Sequence, residues 1–264
     1  MTNQARISSN ESSMGSTRLH LNLGGRDERS AFPSTFVIGV SSFLFVVFGL
    51  SPALTAQSVT RSEALRVAES YIEHRWQASA KNILHGKDRR GIEVHTPDHG
   101  GGRGTPIDEC WRVDQENVGV AYKWGGDDTP TTFNLGIKSG KAAGDVYTLE
   151  KRRLDDAAVS AQAVGIDCSG FICRCWKTRK RYSTSSLAEV CIKLDSPSRL
   201  QPADVMNQRR GHVLMFVKWL DDEKKRALFY ESAPFSKTRA TEREIDDLVK
   251  DGFLPMRYRQ IREG

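Results

Sequence analysis

The chain has 264 residues, 38% of them hydrophobic and 27% charged, which is enough apolar content to bury an ordinary core and too much for a disordered polymer. Its 39 basic residues outnumber 33 acidic ones, for a net charge of +6. Such a balance suits an anionic surface or polymer, but the basic residues are not interleaved with aromatics, so no nucleic-acid partner is expected.

Residues 1–33 are rich in Ser, Asn, Gly and Arg, have no apolar period, and carry no predicted fold. Residues 36–50 then form the one long uncharged apolar run, with Arg18, Arg26 and Arg29 before it and the small residues of 51–56 behind. That is the three-part layout of a secretory signal. Left uncleaved, 36–56 is long enough to span a bilayer and associate the protein with a membrane through a single N-terminal anchor. The expectation is a leader over 1–56 and one exported domain over 57–264, acting in the periplasm, outside the cell or anchored at the cell envelope.

Within 58–82, Leu65, Ala68, Tyr71, Ile72 and Trp76 recur at helical spacing and predict a helix laid over the core, with Ser62 as its cap. Residues 91–104 begin as a strand and dissolve into a glycine-rich loop. His95, Asp98 and His99 have ligand chemistry there, but Pro97 and the glycines leave no rigid element to hold them, and no metal is expected. Residues 117–126 read as an extended segment closed by a Gly125-Gly126 turn, with Tyr122 and Trp124 on one side. Residues 127–144 read as a polar surface loop, and 147–164 as a helix.

The stretch Gly165-Ile166-Asp167-Cys168-Ser169-Gly170-Phe171-Ile172 sets a cysteine between small residues at the start of a helical run. In a first helical turn, free N–H groups and the positive end of the dipole stabilise a thiolate, while a buried structural cysteine is the alternative. The five cysteines, Cys110, Cys168, Cys173, Cys175 and Cys191, are an odd number for an exported protein. With Cys168 free, the other four are buried thiols or two bridges in one of three pairings. The basic run 177–181 complements the C-terminal end of the helix. Residues 183–190 read as a short helix and 200–205 as a turn feeding a strand. Residues 211–220 give the strongest strand signal, and a polar turn over 221–225 leads to a second strand over 226–232. In a hairpin symmetric about Asp221 and Asp222, His212 faces Glu231, and a register moved by two leaves the pair diagonal on one face.

A cysteine on a helix N-terminus, a histidine on a neighbouring strand and a polar group behind it are the parts of thiol acyl transfer. Cys168 would be the nucleophile, His212 the proton carrier and Glu231 the group that orients the ring, with the Cys168 N–H at the oxyanion. Taken singly, each is as readily a core residue. Taken in order, Tyr122-Lys123-Trp124-Gly125-Gly126, then Asp167-Cys168-Ser169-Gly170-Phe171, then Leu200-Gln201-Pro202-Ala203-Asp204-Val205, then His212-Val213, resemble the NlpC/P60 family of papain-like cysteine peptidases over about residues 118–235.

The resemblance implies a papain-like α+β fold with the cysteine-bearing helix packed on an antiparallel β-sheet. It makes Cys168 and His212 catalytic and puts Glu231 where the family has His, Asn or Gln. Tyr122, Asp167 and Ser169 match residues that line the family's substrate cleft and help bind the free amine of a peptidoglycan stem peptide. No cofactor is implied. The chain departs from the family pattern in an insertion over 127–164, expected beside the cleft, and in Ala203 where the turn has glycine. The implied activity is hydrolysis of an amide bond in peptidoglycan or a related peptide. The alternatives are an envelope binding domain without turnover and an acyl transferase that uses the same thiol.

Overall fold

Thr60 starts the first helix: its hydroxyl accepts the Glu63 N–H at 3.1 Å, and α1 (Arg61–Ile72) follows directly on β1 (Val59–Thr60). The cap is therefore Thr60 rather than Ser62, and the helix stops short of Trp76. That tryptophan lies on β2 (Arg75–Gln77), where its indole donates to the Gly119 carbonyl at 2.8 Å and its ring meets Trp111 and Phe133 edge-on. The extended chain there satisfies a buried indole that a continued helix would leave without this acceptor. The computed structural model describes residues 58–99 and 106–264, which belong to one compact unit. The leader expected over 1–56 and part of the glycine-rich loop lie outside the described residues. Among the described residues no helix is long and apolar enough to cross a membrane.

An antiparallel pair, β3 (His85–Lys87) and β4 (Glu93–His95), comes next, and β5 (Glu116–Val118) then pairs with β2. Where a surface loop was expected, the chain forms α2 (Pro130–Lys138). Thr129 caps it with its hydroxyl on the Thr132 N–H, Pro130 supplies a fitting φ at the first position, and Phe133, Gly136 and Ile137 turn inward at helical spacing. β6 (Ala142–Ala143) pairs in parallel with β7 (Ala163–Val164), and between them lies α3 (Leu149–Leu154). The helix expected over 147–164 thus shrinks to six residues, ended by Asp155 at φ 50°. After α4 (Cys168–Cys175), residues 187–190 make a 3-10 turn in place of the expected short helix.

The rest of the chain is β8 (Cys191–Lys193), β9 (Val205–Asn207), β10 (Val213–Trp219), β11 (Arg226–Ser232), β12 (Thr238–Glu244), α5 (Ile245–Lys250), β13 (Leu254–Tyr258) and β14 (Ile261–Arg262), the last parallel to β1. Six of these strands form one sheet, in the order β12-β11-β10-β9-β13-β8, with every neighbour antiparallel. The protein is mixed α+β with an antiparallel sheet. Both faces of that sheet are covered. Val213 and Met215 join a core with Phe171 and Trp176 of the α4 side, while Leu214 and Phe216 join another with Ile245 and Leu248 of α5. This is why β10 reads as an unbroken apolar run instead of alternating, and burying each such side chain contributes on the order of 2 kcal/mol.

The β10–β11 register differs from the symmetric hairpin expected. Met215 faces Tyr230 and Phe216 faces Phe229, and a bulge then shifts the pairing to Lys218 with Leu228. The turn spans 221–225, and the Asp221 carboxylate closes it by accepting the Lys225 and Arg226 N–H groups at 2.9 and 2.6 Å. Extending this register places Glu231 two residues out of line with His212, diagonal to it and on the same face.

Candidate active site

Asp167 is the cap of α4, and its Oδ1 accepts the Gly170 N–H at 2.7 Å and the Ser169 hydroxyl at 3.1 Å. Cys168 is thereby fixed as the first helical residue, with its own N–H free of any acceptor within the helix. Three glycines allow the chain to close around this start. Gly165 holds φ 149°, and a Cβ on Gly126 or Gly170 would collide with a backbone carbonyl, that of Gly165 or of Gly126. Behind the sulfur, Phe171 meets Tyr71 of α1 edge-on at 5.7 Å. Trp176 stacks on Tyr258 at 5.0 Å and donates to the Ala203 carbonyl at 2.9 Å, which ties the helix to the sheet.

His212 enters β10 from a tight turn in which its carbonyl accepts the Gln208 N–H at 2.8 Å. Its Nε2 lies 2.6 Å from Glu231 Oε2. Nδ1 is buried with no hydrogen-bond partner among the described residues, and Cys168, which lines the same cleft, is the neighbour that acts on the ring's charge, so Nδ1 is the nitrogen left for the sulfur. Burial alone would push the imidazole pKa down, but the neighbouring Cys168 and Glu231 outweigh it and raise it to about 10. Glu231 is 1% exposed, and burial would raise its carboxyl. The hydrogen bond and charge of His212, with Arg239 behind, hold it down at about 2.

A cleft of about 850 Å³ opens over the sulfur. Cys168, His212, Tyr122, Asp167 and Ser169 all line it, while Glu231 sits behind His212 and outside the lining. Trp124, Tyr147 and Phe235 form an aromatic wall, with Tyr147 5.7 Å from Trp124 and 6.1 Å from Phe235. The insertion supplies part of that wall through Tyr147, Arg152 and Val159, and the Trp124 indole donates to the Asp155 carbonyl at 3.2 Å.

Tyr122 is buried, and burial, followed by the charges of Cys168 and Asp167, pushes its phenol well above the usual value, so it faces the site as a protonated hydroxyl. Asp167 is also raised by burial, against the pull of Arg181. Arg181 donates to Asp167 Oδ2 and to the Gly125 carbonyl, so the Asp167 carboxylate is shared between a helix cap and a guanidinium.

All five cysteines are free thiols. Burial pushes Cys191 up to about 12, Cys175 well above the usual thiol range, and Cys173 and Cys110 upward. Asp98 accepts the Thr96 hydroxyl at 2.5 Å and pairs with His85 Nε2 at 2.9 Å, while the His95 backbone N–H donates to Asp145. These contacts give Asp98 and the His95 backbone a role in joining loops. Sequence reasoning missed Arg181 and Arg239. The first lay in a basic run assigned to the helix end, and the second in a strand whose charged alternation carries no apolar signal. No family model, no curated protein and no solved structure matches this chain.

Proposed function

We propose that the protein is a thiol hydrolase of NlpC/P60 type, papain-like in architecture, that cleaves an amide bond in peptidoglycan stem peptides or related peptides. The observation that carries this reading is Cys168 at the N-terminus of α4, lining an open cleft together with His212, whose ring is held from behind by Glu231. The four sequence motifs that resemble the family support it, as does the antiparallel sheet against which α4 packs.

In the reaction, the Cys168 thiolate attacks the amide carbon and forms a C–S bond, and the carbonyl oxygen becomes an oxyanion beside the Cys168 N–H. The intermediate collapses with cleavage of the C–N bond, and His212 delivers its proton to the leaving amine. Water then attacks the thioester, His212 accepts the water's proton, and the C–S bond breaks to release a carboxylic acid and regenerate the thiolate. Glu231 holds the ring throughout with Nδ1 toward the sulfur. Export through the 1–56 leader belongs to the same reading, since the substrate lies outside the cytoplasm.

The test is incubation of the purified protein with cell-wall peptides, read by mass spectrometry. New amine and carboxyl ends should form with wild type and not with Cys168→Ala. Cleavage that survives the substitution would remove the sulfur from the mechanism.

A further inference from the structure

Glu231 does not face His212 alone. It is paired across the sheet with Arg239 in the β11–β12 register, and Arg239 Nε donates to its Oε1 at 2.9 Å while Oε2 holds His212 Nε2. One carboxylate, 1% exposed, therefore serves two cations, one on each oxygen. The guanidinium is fixed from its other side as well, because Nη1 donates to Glu109, and the Glu109 carbonyl accepts the Ser236 hydroxyl at 3.0 Å. The arrangement runs His212, Glu231, Arg239, Glu109 in alternating charge, along one face of the sheet from the cleft to the partly exposed edge strand β12.

We propose that Arg239 is a positioning residue for the His212–Glu231 pair. It pins the Glu231 carboxylate against rotation and divides its charge between two cations, so that Glu231 orients the imidazole without holding its proton too tightly to return it to a leaving amine. A neutral amide in place of Glu231 would orient the ring with no such surplus of charge; a lone buried carboxylate would orient it and bind the imidazolium strongly as well. Arg239 brings the carboxylate nearer to the neutral case. The proposal rests on the thiol reading above.

The groups that face this pair are Cys168 from α4 and Arg239 from β12, with Glu109 on the guanidinium and Lys237 beside Arg239 and Glu109. Removing the positive charge in Arg239→Met leaves Glu231 easier to protonate and the imidazolium harder to deprotonate, so both limbs of a pH profile move up. Glu109→Gln leaves Arg239 with one anion in place of two, which disfavours the imidazolium and moves the basic limb down. A merely structural residue has no reason to produce these opposite signs.

The measurement is the rate of amide cleavage as a function of pH in the full-length protein, with Cys168 alkylation by iodoacetamide followed in parallel as a check on the sulfur. Arg239→Met should shift the profile up by about 0.5–1 pH unit and cut cleavage about tenfold or more while alkylation at the optimum persists; Arg239→Lys should restore most of both. An unmoved profile in folded Arg239→Met, or a shift of the same sign in Glu109→Gln, overturns the proposal. Should Arg239→Met fail to fold, the sign of the Glu109→Gln shift decides alone. Wild-type Cys168 reacting no faster than glutathione at neutral pH overturns the thiol reading and the proposal with it, a result distinct from an unmoved profile on a reactive cysteine.

Discussion

His212 Nε2 and Glu231 Oε2 stand 2.6 Å apart although their residues are diagonal rather than opposed across the hairpin. The bulge between Phe216 and Lys218 moves the register by one residue, which leaves Glu231 two residues out of line and on the same face as His212, and the length of the glutamate side chain makes up that offset. Glu231→Asp should therefore fail to reach the ring. Its cleavage rate should fall by about 10²-fold, close to the loss in Glu231→Gln, although the charge is kept.

The same contact fixes a pH dependence. Glu231 has a folded pKa held at about 2, against an ordinary 4.5, so the stability drawn from its two cation partners is fully present above 4.5 and is lost as pH falls through about 2. The difference in Tm between wild type and Glu231→Gln should shrink steadily over that window. In the basic range, losing the carboxylate removes one of the charges that raise His212 to about 10, and the basic limb of amide cleavage should move down in Glu231→Gln. Intact-protein melting curves and cleavage rates read the two effects separately.

Selectivity among the thiols gives a second test. Cys110, Cys173, Cys175 and Cys191 all have thiols raised by burial, and the last three are buried. A brief exposure of native protein to iodoacetamide at neutral pH should add one equivalent, at Cys168, by peptide mapping. Denaturant should expose all five to the reagent.

Gly165→Ala tests the turn before the nucleophile. At φ 149° an L side chain is strained, and the added methyl would run into the Ala121 carbonyl. The strain and the collision together should cost roughly 3 kcal/mol in denaturant unfolding. Because the turn fixes Asp167, the variant should also lose Cys168 reactivity at temperatures where it remains folded.

Asp204 carries a different load. It is fully buried and takes Arg61 of α1 at 3.0 Å and Arg257 of β13 at 2.7 Å. Asp204→Ala leaves Arg257 without its paired counter-charge and Arg61 with only the exposed Glu263, and should lower stability by about 3–5 kcal/mol. Arg61→Met should cost less, since Arg257 still satisfies the carboxylate, and thermal melts of the two variants should rank in that order.

The elements around the sulfur were legible because each carries a local signal: the Asp167 cap with its small neighbours, the apolar run of 213–216, the Asp221 turn. α2 was hidden because Thr129 and Pro130 read as loop residues, although a capping threonine followed by a first-turn proline is also how a helix begins; Phe133, Gly136 and Ile137 held the missing period. β12 was invisible for another reason. Its residues Thr238, Arg239, Ala240, Thr241, Glu242, Arg243 and Glu244 lie at the sheet edge and face water or ion partners over most of their length, so no apolar alternation marks them. The diagonal placement of His212 and Glu231 is the one that a register moved by two gives, but the bulge that sets it was not legible, since nothing in the local composition announces a bulge.

β1 and β14 lie side by side, with the Val59 N–H donating to the Gln260 carbonyl and Gly264 resting near Thr60 and Ser62. The described unit is thus closed like a ring with a narrow gap, and its order along the chain can be separated from its shape. A short flexible linker from 264 to 58, with new ends cut in the exposed 221–225 turn, would produce a circular permutant that retains every neighbour of the sheet and every wall of the cleft.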